Sequence, residues 1–145
     1  MTIFLRPAID ADAPVLTAIH LAARVSADIP NLHDEADVTA FHHRLIAAAQ
    51  VRVAVLDGVP VAYASVKDGW LEQLWVLPAY HRRGIGRALL AWARTLGELH
   101  LYVFTHNRRA RAFYAAHGAV RVAETDGSGN EERLPDLTLR FPALP

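Results

Sequence analysis

Cysteine is absent from the 145 residues of this chain. A chain without thiols forms no disulfide, offers no thiolate ligand to a metal and has no cysteine nucleophile. No uninterrupted apolar run approaches the roughly 18 residues that a membrane-spanning helix requires. Net charge is lacking as well, because 15 Lys and Arg residues balance 15 Asp and Glu residues. A general attraction to nucleic acid is therefore not expected, and any anion site must be local.

The N-terminal residues lack the features of a secretory signal. The stretch "MTIFLRPAIDADAP" contains acids and prolines where such a signal needs a continuous apolar segment. We therefore expect a cytoplasmic protein that does not associate with membranes. The length and the 52% hydrophobic content are typical of one packed unit. Because no linker, repeat or low-complexity tract divides the chain, the sequence predicts a single domain over residues 1–145.

The periodicity of the apolar residues predicts the element order βααβββαβαββ. Strand-like alternation opens the chain, and helical spacing follows over 11–24 and again after a loop that contains Pro30. The turn dipeptides Asp57-Gly58 and Asp68-Gly69 separate three strand-like runs, which predicts an antiparallel meander. Helical spacing returns over 85–96 and again after an asparagine that can cap the last helix. A strand is predicted between these two helices, and two more close the chain.

Glycines and basic residues cluster in the stretch "LPAYHRRGIGRALL". Gly84 and Gly86 open an apolar helix, and Arg82, Arg83 and Arg87 surround that opening. The first four amides of a helix have no intrahelical acceptor, and the helix dipole adds positive potential at the same point. A pyrophosphate group would fit such a site. The same residues also fit a plain turn with a solvated arginine face, so the stretch by itself leaves both interpretations open.

Two common phosphate-binding motifs do not match this stretch. Leu89 stands where a dinucleotide fingerprint has its third glycine, and the chain has no Gly-Lys-Ser/Thr sequence of a P-loop. Instead, "LWVLPAYHRRGIGRALL" resembles the L-x-V-x-P and R/Q-x-x-G-x-G/A signature of the GCN5-related N-acetyltransferase (GNAT) family. The segment "VFTHNRRARAFYAAHGA" resembles the family's downstream N-x-x-A-x-x-F-Y-x-x-x-G motif. The order of elements agrees with the family across nearly the whole chain.

The resemblance implies the GNAT fold, an α/β (α+β) arrangement of four helices and a mixed, mostly antiparallel sheet of about seven strands. It also implies acetyl-CoA as cosubstrate and a primary amine as acceptor. The first signature position, usually Arg or Gln, is His81 here, and its backbone amide can still contact the pyrophosphate. The residues implied to contact the coenzyme are Leu74, Trp75, Val76, His81, Arg82, Arg83, Gly84, Ile85, Gly86, Arg87, Ala88, Asn107 and Tyr114.

Two residues are candidates for proton transfer. Tyr114 matches the tyrosine that the family commonly uses as general acid, and a phenol with a pKa near 10 is protonated at pH 7. The same ring could instead simply pack beside its neighbour Phe113. Glu72 is the candidate base, because strand alternation would put it on the same side as Leu74 and Val76. A solvated or ion-paired Glu72 is the alternative. In the family this strand separates from the next one, and we expect a bulge near Leu74 and Val76 to be the cause.

The resemblance implies that the loop between the first two helices builds the acceptor pocket. His33 and Asp34 lie in that loop and are the candidate substrate-binding residues. His33 is also an alternative to Glu72 as the base. The acids in segments 25–37 and 124–136 suggest a cationic acceptor, although acid-rich loops are usually just solvated.

The remaining expectations concern metals, partners and rival functions. The eight histidines include no pair at i,i+4 spacing, so we expect no metal. No nucleic-acid partner is expected, and the family resemblance makes a homodimer a reasonable expectation. Acetyl transfer should be direct, within a ternary complex, because the chain has no cysteine to carry the group. Two alternatives remain open, namely a catalytically silent CoA sensor and an interaction module whose loop binds a backbone phosphate.

Overall fold

A computed structural model describes residues 2–145 and confirms the predicted order of elements. The strands are β1 (Ile3–Pro7), β2 (Gln50–Leu56), β3 (Val59–Lys67), β4 (Trp70–Val76), β5 (Leu99–Phe104), β6 (Val120–Thr125) and β7 (Asp136–Phe141). The helices are α1 (Ala13–Ser26), α2 (Glu35–Ala48), α3 (Ile85–Arg94) and α4 (Arg108–Ala116). Short 3₁₀ turns at Asp10–Asp12 and Pro78–Tyr80 precede α1 and α3.

The seven strands form one mixed sheet in the order β1-β2-β3-β4-β5-β7-β6. Neighbouring strands are antiparallel except β4 and β5, which run parallel. The meander prediction is confirmed, because both residues of each turn dipeptide have positive φ, as the tight turns between antiparallel strands require. The predicted fold class, a mostly antiparallel sheet with four helices, is therefore confirmed.

Helices cover the sheet on both faces. α1 and α2 pack on one face, where Leu16, Ile19 and Leu45 meet Val53 and Tyr63. On the other face, α3 and α4 contribute to a second core that also includes alanines of β3 and leucines of β5. Among residues 2–145, no helix is both long and apolar enough to cross a membrane.

The turn that leads into α1 contains a half-buried ion pair. Both guanidinium nitrogens of Arg6 bond to the Asp12 carboxylate, at 2.8 and 2.9 Å, and the Ile9 amide donates to the same carboxylate at 2.8 Å. The hydrogen bond from Arg6 is the main reason that the pKa of Asp12 is lowered. The group therefore stabilises the fold fully above the ordinary Asp pKa of about 4, and this stabilisation is lost as the pH falls toward the lower folded value.

We expect Asp12→Asn to lower the free energy of unfolding at pH 7 by about 2 kcal/mol, since charge-assisted hydrogen bonds are lost. The difference from the wild type should shrink at pH 3, because below the ordinary Asp pKa the unfolded wild-type chain binds a proton at this carboxylate more readily than the folded chain does. Urea unfolding at the two pH values measures this. Asp10→Asn, on an exposed neighbour in the same turn, is the control and should change little. An Asp12→Asn difference that is the same at both pH values would contradict the assignment.

Candidate active site

A cavity of about 690 Å³ lies where β4, the start of α3, the start of α4 and the end of α1 meet. The residues that line it are Ala23, Ser26, Ala27, Asp28, Leu74, Trp75, Val76, Tyr80, His81, Arg82, Gly84, Ile85, Gly86, Arg87, His106, Asn107, Arg108, Arg109, Ala110, Phe113 and Tyr114. We call this the large cavity. Its volume is in the range of small-molecule and cofactor sites.

Parting of two parallel strands forms one wall of the large cavity. The ladder between β4 and β5 is limited to Trp70 opposite His100, so the rest of β4 has only β3 as a partner. The Leu77 amide bonds to the Val61 carbonyl at 2.9 Å. Because hydrogen bonding alternates along an antiparallel pair, the backbone groups of Leu74 and Val76 point away from β3 and into the gap. The strand separation expected from the resemblance is therefore present.

The expected bulge lies elsewhere on the same strand. Ser65 faces Gln73 whereas the next residue, Val66, faces Leu71, so Glu72 is the extra residue in β4. The alternation used to put Glu72 on the side of Leu74 fails at this point, since a bulge shifts the pattern by one residue. The prediction of a bulge at 74–76 is therefore wrong.

Glu72 itself is exposed and does not line the large cavity. It borders a separate depression of about 360 Å³ that also includes Trp70 and Tyr102. Regular alternation would place Glu72 on the same side of the sheet as Leu74. Because of the bulge, Leu71 takes that core-facing position instead. Consequently the structure does not bring Glu72 together with the other predicted site residues.

The N-terminus of α3 forms a second wall and is open. Gly84 is the N-cap residue with φ of 79°, and no side chain caps the helix there. The Ala88 amide is the first to bond within the helix, to the Gly84 carbonyl at 3.1 Å, so the amides of residues 85–87 have no helical acceptor. Arg82 and Arg87 line the cavity beside them. This end of α3 therefore combines free donors with positive charge, as an anion site needs.

His81 sits at this opening as a neutral ring. Its Nε2–H donates to the Val76 carbonyl at 3.1 Å, and Nδ1 accepts a hydrogen bond from Arg109. Burial lowers the pKa of His81, and the nearby Arg109 charge lowers it further. Both nitrogens are engaged without a second proton, so the side chain acts here as a link between β4 and α4.

α4 begins at the cavity with a capped turn. Asn107 is the N-cap, and its side-chain oxygen accepts from the Ala110 amide at 3.3 Å. Its neighbour His106 donates through Nε2 to the carbonyls of Ala27 and Asp28, each at 3.1 Å. These contacts fix the start of α4 against the end of α1 across the large cavity.

Tyr114 brings a free hydroxyl to the large cavity. The residue is buried, and its ring packs edge-on against Phe113 and Phe141 with centroids 5.3 and 6.1 Å apart. Its hydroxyl makes no hydrogen bond within residues 2–145. In that range, the polar side-chain atoms that lack a partner and are also shielded from solvent are Ser65 Oγ and Arg94 Nε, so the Tyr114 hydroxyl is not shielded. The Tyr114 oxygen is therefore open to the cavity. Burial raises the pKa of Tyr114, so the phenol keeps its proton at neutral pH.

A second cavity, of about 440 Å³, lies on the other side of α1. Its residues come from α1, α2 and the loops at 27–34 and 126–135; they are His20, Arg24, Asn31, Leu32, His33, Asp37, Val38, Ala40, Phe41, Arg44, Glu131 and Glu132. We call this the small cavity. The loop expected to build the acceptor pocket and the acid-rich segment 124–136 thus meet here, although they are about a hundred residues apart in the chain.

Ion pairs hold the two loops of the small cavity together. Arg24 bonds to Glu132 at 2.8 Å and to the Pro30 carbonyl at 2.8 Å. His33 lines the cavity and contacts Glu131 at 2.9 Å, and this hydrogen bond is the main reason that the pKa of His33 is raised. Asp34 does not line the cavity, because its carboxylate caps α2 by accepting from the Asp37 amide at 2.8 Å.

This pairing bears on the expected acceptor. Glu131 and Glu132 are among the acids that suggest a cationic acceptor in the sequence, but both have basic partners in the structure. Of the acids that line the small cavity, Asp37 alone has a carboxylate that forms no hydrogen bond or ion pair within residues 2–145. The acid content of the loops therefore gives little support to a cationic acceptor.

The described part of the chain, residues 2–145, contains no group of three or more His, Asp or Glu side chains arranged to hold a metal ion. The chemistry of both cavities therefore has to be argued from hydrogen-bond donors, hydrogen-bond acceptors and helix polarity.

Residues 18–119 match the family model of the Acetyltransferase (GNAT) family. The match includes the strand that parts from its neighbour, the open end of α3 and all of α4. The chain belongs to the GNAT family. The resemblance seen in the sequence motifs is thereby confirmed, and the protein is an acetyltransferase by family.

Relatives of this acetyltransferase agree with that membership. A curated "uncharacterized N-acetyltransferase" of Archaeoglobus fulgidus is 33% identical over 98 residues, which is 56% of this chain and 66% of that relative. The alignment thus spans just under two thirds of the relative's length. A solved GCN5-related N-acetyltransferase from Rhodopseudomonas palustris is 30% identical, with a TM-score of 0.74 over 99% of this chain and 97% of that one. The YncA protein of Salmonella typhimurium, solved with its cofactor acetyl-CoA, shares the fold at 20% identity, with a TM-score of 0.77 over 100% and 96% of the two chains.

Most of the residues expected to contact the coenzyme are found in the wall of the large cavity. Arg83 and Ala88 are not. The Arg83 guanidinium lies over the Tyr80 ring instead, 5.2 Å from its centroid. The sequence interpretation missed the residues at the end of α1, of which Ala27 and Asp28 are examples. No local motif marks them, because only the packing of α1 against the start of α4 brings them to the site.

Proposed function

We propose that this acetyltransferase moves the acetyl group of acetyl-CoA to a primary amine by direct transfer within a ternary complex. One observation carries the proposal: the open end of α3, the gap beside β4 and the free Tyr114 hydroxyl all face the same cavity. The acetyl-CoA bound to the YncA protein of the same fold supports this choice of cosubstrate.

The residues at the end of α3 fit the diphosphate of the coenzyme. Amides of residues 85–87 lack acceptors, and anionic oxygens are the partners that such amides bind best. Arg82 and Arg87 supply full charges at the same opening. Arg108 and Arg109, at the start of α4, add basic groups along the cavity that can pair with the phosphate on the ribose of the coenzyme. The positive potential is thus local, in a chain whose formal net charge is zero.

The gap beside β4 fits the acyl end. The outward amide and carbonyl of Leu74 and the outward amide of Val76 are positioned to bond an extended, amide-containing arm as a neighbouring strand would, while the Val76 carbonyl is held by His81. When bound, the thioester supplies an activated acetyl group and a thiolate leaving group. Tyr114 holds a proton on its hydroxyl at this cavity, and we assign it to donate that proton to the leaving sulfur as the carbon–sulfur bond breaks. The proton that the amine nitrogen loses as the amide bond forms passes to solvent water, and the phenol is reprotonated from solvent.

The acceptor is assigned to the small cavity. α1 separates it from the large cavity, since Ala23 lines the large cavity and Arg24 lines the small one. Its loops are held by the contacts of His33 with Glu131 and of Arg24 with Glu132. His33 is proposed to contact the acceptor there. Asp34 is assigned to the helix cap instead, and Glu72 has no assigned part because it borders a different depression.

Calorimetry and an amine panel test this proposal together. We expect acetyl-CoA to bind the purified protein with a Kd between about 1 µM and 1 mM, the usual range for enzyme substrates. Thiol release should depend on the amine, with small amines, amino acids and peptide N-termini compared. Initial-rate lines for the two substrates should intersect, as a ternary complex requires; parallel lines would contradict direct transfer. Binding without amine-dependent release would favour a CoA sensor, and stabilisation by oligonucleotides but not by acetyl-CoA would favour an interaction module.

A further inference from the structure

Four buried polar side chains form a continuous hydrogen-bonded row between α1, α2 and β3. Thr17 Oγ1 lies 3.0 Å from His42 Nδ1, His42 Nε2 lies 2.6 Å from the Tyr63 hydroxyl, and that hydroxyl lies 3.0 Å from His20 Nδ1. Thr17, His42 and Tyr63 are at most 1% exposed, and His20 is 9% exposed. The row therefore begins in the interior and ends at His20, which lines the small cavity.

The position of each proton in this row follows from its inner end. Thr17 Oγ1 lies 2.8 Å from the Ala13 carbonyl, and because a carbonyl only accepts, the single hydroxyl proton of Thr17 must point there. Thr17 can then only accept from His42, which must carry its proton on Nδ1. Burial lowers the pKa of His42 to about 4, so its Nε2 has no proton and accepts from the Tyr63 hydroxyl.

The same reasoning fixes the outer end of the row. With its own proton given to His42, the Tyr63 oxygen accepts from His20, which therefore carries its proton on Nδ1. Burial lowers the pKa of His20 to about 3, with a smaller contribution from His42, so the ring is neutral. His20 Nε2 consequently presents a lone pair. The hydrogen-bonding neighbours select this Nδ1–H tautomer.

His20 Nε2 is open at the cavity and has no partner. It makes no hydrogen bond within residues 2–145. It is also not one of the atoms in that range that are both unbonded and shielded from solvent, so a ligand can reach it. The ring packs edge-on against Trp75, whose centroid is 5.5 Å away, and Trp75 lines the large cavity. His20 thus stands at the boundary of the two cavities, where the acceptor and the acyl group of the proposed reaction would meet.

We propose that His20 is the residue that positions the acceptor, with its Nε2 lone pair accepting a hydrogen bond from the N–H of the attacking amine. This inference rests on the proposed acetyl transfer. A neutral hydrogen-bond acceptor orients an amine so that the nitrogen lone pair faces the acyl carbon, and this pre-orientation lowers the barrier. Tyr63, His42 and Thr17 are positioning residues that keep the proton of His20 on Nδ1.

Nitrogen NMR of the histidine rings tests the tautomer without any substrate. Two-bond correlations at pH 7 should assign the Nδ1–H form to both His20 and His42. Tyr63→Phe removes the hydroxyl that accepts from His20, and we expect the His20 signals to move toward the Nε2–H form. Finding His20 as the Nε2–H tautomer in the wild-type protein would overturn the inference, whatever the outcome of the activity assays.

Two substitutions of His20 separate its packing from its acceptor role. In His20→Asn the amide N–H takes the place of Nδ1–H and keeps the bond to Tyr63, but no acceptor remains at the position of Nε2. We expect kcat/KM for the amine to fall about tenfold, which corresponds to one hydrogen bond of roughly 1.4 kcal/mol. His20→Gln puts an oxygen near the Nε2 position and should stay within about threefold of the wild type.

Calorimetric affinity for acetyl-CoA should be unchanged in both variants, and His100→Asn, on the sheet outside both cavities, is the matched control. An active wild type with an equally fast His20→Asn variant would overturn this inference alone. A wild type that binds acetyl-CoA but acetylates no amine in the panel would overturn the proposed function, and the inference with it.

Discussion

Replacing Tyr114 by phenylalanine should lower kcat by about a hundredfold or more, the usual loss when a general acid is removed. The hydroxyl has no partner among residues 2–145 and is open to the large cavity, and burial raises its pKa so that it holds its proton throughout the neutral range. It is therefore a donor available to a thiolate as that charge develops. Phenylalanine keeps the ring contacts with Phe113 and Phe141, so the fold and the acetyl-CoA affinity should be preserved.

Steady-state kinetics and calorimetry on the same samples measure this difference. Tyr102→Phe is the matched control, because that tyrosine stacks on Trp70 at 4.7 Å on the open face of β5, outside the two cavities. It should leave kcat close to the wild-type value. If Tyr114→Phe also retains wild-type kcat, the residue only packs at the base of the cavity, and another group must protonate the leaving sulfur.

Replacing Gly84 by alanine should weaken acetyl-CoA binding by about tenfold to a hundredfold, the loss of one or two charge-assisted hydrogen bonds. Gly84 has φ of 79° at the N-cap of α3, and an added Cβ meets no protein atom within 4 Å. The methyl group would thus stand at the cavity wall beside the amides of residues 85–87. We expect it to keep a phosphate from approaching those amides closely.

Gly58 provides an unusually close control for this substitution. It has φ of 80°, and an added Cβ there also meets nothing within 4 Å, but it lies in the β2–β3 turn. Both alanine variants should lose about 1 kcal/mol of stability from the left-handed backbone, as seen in urea unfolding. Only Gly84→Ala should lose affinity in calorimetry. Equal affinities of the two variants would show that the end of α3 does not hold the coenzyme.

Local patterns predicted the fold well because they reflect local physics. Asp57-Gly58 and Asp68-Gly69 adopt the positive φ values that their residue types permit, so the meander could be read directly. Helix ends were less accurate. The helix predicted over 85–96 ends at Arg94, since the next amides bond three residues back instead of four, as the Thr95 amide does to the Trp92 carbonyl at 3.0 Å.

Glu72 illustrates what a regular pattern conceals. Alternation assumes that each residue of a strand has one partner, and Glu72 has none because β3 and β4 change register there. Nothing in "WLEQLWV" marks the bulge. It arises because the residues of β4 before and after Glu72 pair with β3 in registers that differ by one residue. His81 is a second case, because tertiary packing buries its ring, which lowers the pKa, and brings Arg109, 28 residues later in the chain, into hydrogen-bond contact with Nδ1.

The sequence by itself determined the order of elements, the family and the open N-terminus of α3, because each depends on residues that are neighbours in the chain. Only the tertiary structure decided which groups meet at the site. The row from Thr17 through His42 and Tyr63 to His20 joins three elements, and its proton order depends on contacts across 21 to 43 residues. Such contacts follow from the packing of α1 and α2 on β3, and no periodicity within one element encodes them.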